Sequence, residues 1–212
     1  KEALIWQYLD HPNIVDFFGI DHLTFPGKRA MVSEWMAEGN LLEYMQKRPK
    51  VSEYALNDVA SGLAYLHTEN VVHGDLCCRN ILVNEKGHAC LTDFGLTAFI
   101  ESDTSVKSSA SRSGSPHWMA PELWHPEEFG MTKFRRTPAS DIYAYACVCC
   151  EVWSEGSPPF PNIAAPTSIM FEVLEGKRTE RPSNNQGVVM PDSLWQLTQL
   201  CWAQQPHERL CM

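Results

Sequence analysis

The chain has 212 residues, 44% hydrophobic and 20% charged, with a formal net charge of −9. That length holds one domain, or two closely packed lobes, around a sizeable core, and the acidic balance argues against nucleic acid or an anionic membrane as the main partner. No apolar run approaches the roughly 20 residues of a membrane-spanning helix, and no signal-peptide pattern opens the chain.

Residues 1–9 read as a helix stopped at Asp10-His11-Pro12, because the residue before a proline disfavours helical backbone. The start on Lys1-Glu2-Ala3-Leu4, without Met, looks like the middle of a helix, so a truncated end is expected. Strands are predicted around Val15–Ile20 and Arg29–Ser33, either side of the turn residues Pro26-Gly27. A short helix follows at Leu41–Lys47. A longer one runs from about Ser52 to His67, with Leu56, Val59, Leu63 and Leu66 spaced by three and four on one face. Ile81–Val83 and Ala89–Thr92 make a hairpin around Asn84–Gly87. From Glu101 to Ser115, eight of fifteen residues are Ser or Thr without periodicity, the composition of a mobile loop. An apolar helix is expected from Asp141 to Trp153, buried on every side. Two amphipathic helices follow the breaker Pro158-Pro159, near Ser168–Glu175 and Asp192–Trp202. The order is α+β: a small strand-containing start, then a mostly helical body.

Of eight cysteines, Cys77, Cys78, Cys90, Cys147, Cys149, Cys150, Cys201 and Cys211, the cluster Cys147, Cys149 and Cys150 lies inside an otherwise apolar helical run, where a thiol behaves as a small hydrophobe. They are read as buried, reduced thiols in a cytoplasmic protein rather than as metal ligands or disulfides.

The run His73-Gly74-Asp75-Leu76-Cys77-Cys78-Arg79-Asn80 is followed, thirteen residues after Asn80, by Asp93-Phe94-Gly95. Phosphoryl transfer needs a carboxylate that orients and deprotonates a hydroxyl, and hard oxygen ligands that hold Mg²⁺ on the phosphates. An Asp, an Asn five residues later and an Asp after a hairpin supply that set; the alternative is two structural aspartates. In order and spacing these runs resemble the H-R-D-L-x-x-x-N and D-F-G motifs of protein kinases. Ala120-Pro121-Glu122, Ser140-Asp141, and Arg209 in the context Cys201-Trp202 … Pro206 extend the resemblance over essentially the whole chain, as does Glu2, nine residues before His11-Pro12-Asn13-Ile14. The mixture of signals is most similar to the tyrosine-kinase-like group.

The resemblance implies a bilobal fold, with residues 1–35 as the remainder of the N-terminal lobe from helix C and residues 36–212 as hinge and C-terminal lobe. The Gly-rich loop and the strand with the phosphate-binding Lys would precede residue 1, so the N-terminal lobe is incomplete and residues 1–212 alone are expected to be inactive. ATP and Mg²⁺ are the implied cofactors and proteins the implied substrates. Asp75 is then the catalytic base, Arg79 the cation near the transferred phosphoryl group, and Asn80 and Asp93 the Mg²⁺ ligands. Phe94 packs to set the active arrangement, Glu122 pairs with Arg209, and Asp141 braces the backbone of the catalytic loop. Ser33 stands as gatekeeper, the backbone of Glu34 and Met36 bonds adenine, and Asn40 with Glu43 approaches the ribose. Leu82 and the helix residue Glu2 complete the nucleotide site.

Two departures matter. Gly74 replaces the Arg that reads an activation-loop phosphate, and Cys77 replaces the Lys of most Ser/Thr kinases. Cys78-Arg79-Asn80 leans towards tyrosine kinases, whereas Ser115 falls where Ser/Thr kinases hold a hydroxyl beside the catalytic Asp. The balance is read as a protein kinase that favours Ser/Thr over Tyr hydroxyls. The alternatives are a pseudokinase that acts as a scaffold or allosteric partner, against which Asp75, Asn80 and Asp93 all stand intact, and a helical interaction module.

Overall fold

The computed structural model describes residues 6–48, 52–94 and 115–211. Glu2, most of the first expected helix, Gly95 and all but Ser115 of the Ser/Thr-rich loop lie outside the described residues.

Helical backbone ends at Trp6, earlier than the proline-based boundary, and a turn at Gln7-Tyr8 leads into the His11–Val15 segment. Trp6 fixes this exit: its indole donates to Val15 O at 2.7 Å, and its ring stacks on Phe17. Strands β1 (Phe17–Asp21) and β2 (Ala30–Ser33) pair antiparallel, with Phe17 opposite Ser33 and Asp21 opposite Ala30. Helix α1 (Leu41–Lys47) begins where Asn40 Oδ1 accepts from the Glu43 N–H while Glu43 reaches back to the Asn40 N–H, a reciprocal cap. Helix α2 (Ser52–Thr68) buries Leu56, Val59, Leu63 and Leu66, the expected face, against strand β4 (Ala89–Leu91). That strand pairs with β3 (Ile81–Val83) in a second two-stranded sheet.

The His11–Val15 segment lies along β4. Leu91 N–H donates to Asn13 O at 2.8 Å, Val15 N–H to Leu91 O at 3.0 Å, and the Asn13 side chain to Ala89 O at 3.0 Å. Gly62 of α2 backs directly onto this turn; a Cβ there would stand 2.7 Å from Asn13 O.

Beyond the site come α3 (Pro121–Trp124), α4 (Pro138–Trp153), α5 (Pro166–Leu174) and α6 (Asp192–Cys201). Helix α4 starts three residues before the expected Asp141, because Thr137 and Ser140 cap each other and Pro138 occupies the first helical position, where no N–H is needed. Every residue from Ser140 to Val152 is buried, so α4 is the axis of the helical body. Seven cysteines are buried as expected; Cys211 is exposed, past the last helical turn, and corrects that reading. Among the described residues no helix is long and apolar enough to cross a membrane.

Candidate active site

The loop from His73 to Asn80 runs between α2 and β3 and hangs on the two ends of α4. Asp141, in the first turn of α4, accepts from the His73 and Gly74 N–H groups, each at 2.8 Å, and from His67 Nε2 at 3.0 Å. It is 1% exposed. Buried carboxylates are retained only with such donors. Gly74 has φ +81°, the left-handed region that costs a residue with a Cβ about 1–2 kcal/mol. The His73 ring is buried, and burial lowers its pKa although Asp141 and Asp75 oppose the shift. Its Nδ1 accepts from the Asp75 N–H at 3.3 Å, which puts the ring proton of the neutral form on Nε2.

Asn80 ties the loop to its own beginning. Its side-chain nitrogen donates to Asp75 O at 2.8 Å and to Asp75 Oδ2 at 3.3 Å. Asn80 O accepts from the Thr92 N–H at 3.1 Å, so the residue before Asp93 is fastened to the same loop. Asp93 is exposed with φ +55°, a conformation Asp tolerates better than most residues. Phe94 turns the other way and is buried, edge-on to Trp6 and His73. Asp75 and Asn80 thus share one hydrogen-bonded unit that Thr92 joins, Asp93 follows Thr92 in the chain, and Phe94 anchors the far end.

Ser115 meets Asp75 through its backbone: the N–H donates to Asp75 Oδ1 at 3.2 Å. Any residue except proline can make that bond, so it carries no preference for a hydroxyl at 115. Arg79 is exposed and lies over the Trp118 ring, 5.6 Å from its centroid. Glu122 and Arg209 are paired as expected, at 2.6 and 2.7 Å, with both side chains 0% exposed.

On the opposite side, the Glu34 N–H is taken by Asp16 O at 2.9 Å and Met36 O by the Gly39 N–H at 3.1 Å. Among the described residues the Glu34 carbonyl and the Met36 N–H have no partner, which makes them a complementary acceptor–donor edge. Asn40 bridges to Leu82 in β3, and the Val83 N–H donates to Gly39 O at 2.9 Å, so this edge and β3 are neighbours. The side chains of Asn40 and Glu43 are committed to the α1 cap. Sequence reasoning missed two residues of the site, His67 and Glu151; the only signal for Glu151 was a lone carboxylate in an apolar helical run.

A family model described as protein tyrosine and serine/threonine kinase matches residues 1–212. Curated relatives include the cytoplasmic tyrosine-protein kinase BMX of Mus musculus, 29% identical over 99% of this chain and 30% of the relative. The tyrosine-protein kinase transforming protein Abl of Abelson murine leukemia virus is 31% identical over 99% of the chain and 27% of the relative. The tyrosine-protein kinase receptor svh-2 of Caenorhabditis elegans is 29% identical over 99% and 19%. The chain spans less than a third of the length of these relatives. All three are tyrosine-protein kinases, which overturns the Ser/Thr assignment; that assignment rested on the Ser115 hydroxyl, and the Asp75 contact is made by the Ser115 amide instead.

Proposed function

Since the chain belongs to the protein tyrosine and serine/threonine kinase family, we propose that it forms the catalytic domain of a cytoplasmic enzyme that transfers the γ-phosphoryl group of ATP to tyrosine hydroxyls of protein substrates. The α+β architecture agrees with the bilobal fold of that family, with residues 1–35 in the smaller lobe and residues 36–212 forming hinge and larger lobe. The observation that carries the reading is the Asp75–Asn80–Thr92 unit, in which one amide side chain and one carbonyl fasten a carboxylate to the strand end that presents a second.

In this reading Asp75 orients the tyrosine hydroxyl and accepts its proton. A carboxylate offers about four acceptor sites, so two remain after Asn80 and the Ser115 N–H are satisfied. Asn80 has turned its nitrogen to Asp75, which leaves its carbonyl oxygen as a ligand; with the exposed Asp93 carboxylate it forms a hard-oxygen pair that fits Mg²⁺. Mg²⁺, when bound, neutralises charge on the phosphates. Arg79 contributes a cation beside the transferred group. The Glu34 carbonyl and the Met36 N–H bond the adenine edge, Leu82 packs on its face, and Asn40 borders the ribose through its backbone. Glu2 is the remaining candidate in the nucleotide site.

The test uses the gene product that carries this chain. Asp75→Asn should keep ATP affinity and lose at least about 100-fold in kcat, the scale of a general base. Asp93→Asn should lose both Mg·ATP affinity and turnover. An active Asp75→Asn enzyme would reassign the base, and phosphorylation of Ser/Thr peptides but not tyrosine peptides would overturn the substrate class.

A further inference from the structure

Glu151 occupies a costly position. It lies in the last turn of α4, where the helix carbonyls repel a carboxylate, and only 2% of it is exposed. Burial raises its pKa against the hydrogen bonds from Cys78 and Trp118 and the nearby Arg79 charge. Its Oε2 accepts from the Cys78 N–H at 3.1 Å, inside the catalytic loop, and from the Trp118 indole N–H at 3.0 Å. Trp118 in turn carries the Arg79 guanidinium on its ring face. An indole that donates to a carboxylate holds its ring in one orientation, and its polarised face attracts a cation more strongly. Arg79, next in chain to Cys78, is therefore located from both sides by one buried oxygen.

On the reading of the chain as a kinase, we propose that Glu151 is a positioning residue for phosphoryl transfer: through Trp118 it sets the place of the Arg79 guanidinium, and through Cys78 the path of the loop from Asp75 to Asn80. Replacing it by the isosteric amide removes a buried charge while the space stays filled, so the fold gains or holds stability while the site loses alignment.

The test compares Glu151→Gln, Trp118→Phe, their pair and Arg79→Ala in the gene product. Glu151→Gln should lower kcat about tenfold, the scale of a sub-ångström misplacement, with KM for ATP within about twofold and the melting temperature unchanged or higher. The double variant should be no slower than the slower single, and Glu151→Gln should add less than about threefold to Arg79→Ala, because the effects run through one chain of contacts. Wild-type kcat in Glu151→Gln, multiplicative losses in the double, or a melting temperature that falls along with kcat each overturn the proposal. If the wild-type protein phosphorylates no tyrosine peptide, the kinase reading fails by itself, and the Arg79 Nε–H resonance then decides: movement in Glu151→Gln supports the positioning role, and no movement overturns it.

Discussion

Arg209→Met would strand a carboxylate in the driest part of the helical body. The Arg209 guanidinium makes two bonds to Glu122, at 2.6 and 2.7 Å, and three more to the carbonyls of Ala139 at 2.9 Å, Ala203 at 3.0 Å and Gln204 at 3.5 Å. Neither side chain of the ion pair has measurable exposure. Removing one partner of such a pair costs about 3–5 kcal/mol, because the other charge stays buried without compensation. For a chain of this size that lowers Tm by roughly 6–20 °C. Adding Glu122→Gln should restore about 2 kcal/mol, since the stranded charge goes; the residual loss belongs to the unmet carbonyls, each worth about 1 kcal/mol or more. Urea unfolding followed by circular dichroism measures both variants, and raising the salt concentration should change the differences little because a buried pair is weakly screened. A loss below about 1 kcal/mol for Arg209→Met would refute the reasoning, and so would a double variant as unstable as the summed singles.

Gly62→Ala should destabilise by about 1–2 kcal/mol despite alanine's better helix propensity, since its Cβ would press on Asn13 O and Leu91; equal or higher stability in urea unfolding would mean that the turn gives way freely. Gly74→Ala should cost about 1–2 kcal/mol through its left-handed backbone alone, read by the same measurement. Because the folded-state pKa of His73 lies below its ordinary value of 6.5, its contribution to stability is present above that pH and is lost as pH falls; unfolding free energies between about pH 7.5 and 5.5 should show that slope, and His73→Asn should flatten it. Thiol titration of the native protein should find Cys211 reacting fast and the seven buried thiols only on denaturation, and several fast thiols would show that the core opens readily.

Where a local signal acts alone, the sequence is easily read. Helix α1 is legible to the residue because Asn40 and Glu43 cap each other within four positions, and β3 and β4 because Asn84 and Gly87 close a short turn. The start of α4 is less so: Thr137-Pro138 reads as a break until the reciprocal bonds with Ser140 are seen. Asp75, Asn80 and Asp93 stand out by spacing, since the proposed phosphoryl transfer demands particular residue types in one order. Ser115 misleads because side-chain chemistry was read where the backbone makes the contact. Glu151 and His67 are invisible for a different reason: their partners, Cys78 with Trp118 and Asp141, lie 33 to 74 residues away along the chain.

The two acidic residues of α4 explain how a loop with unusual residues can still be accurate. Asp141 and Glu151 are ten residues apart on one buried helix, about 15 Å along its axis at 1.5 Å per residue. Each accepts backbone N–H groups from the same loop, Asp141 at His73 and Gly74 and Glu151 at Cys78. The loop is thus fixed near both ends by a rigid element, and through its backbone, so the side chains at 74, 77 and 78 are released from that duty. A glycine at 74 even suits the left-handed turn on which the first clamp closes. Asp75, Arg79 and Asn80 are the loop residues to which the proposed transfer gives roles, and among the described residues the Arg79 guanidinium rests on the Trp118 ring that Glu151 orients.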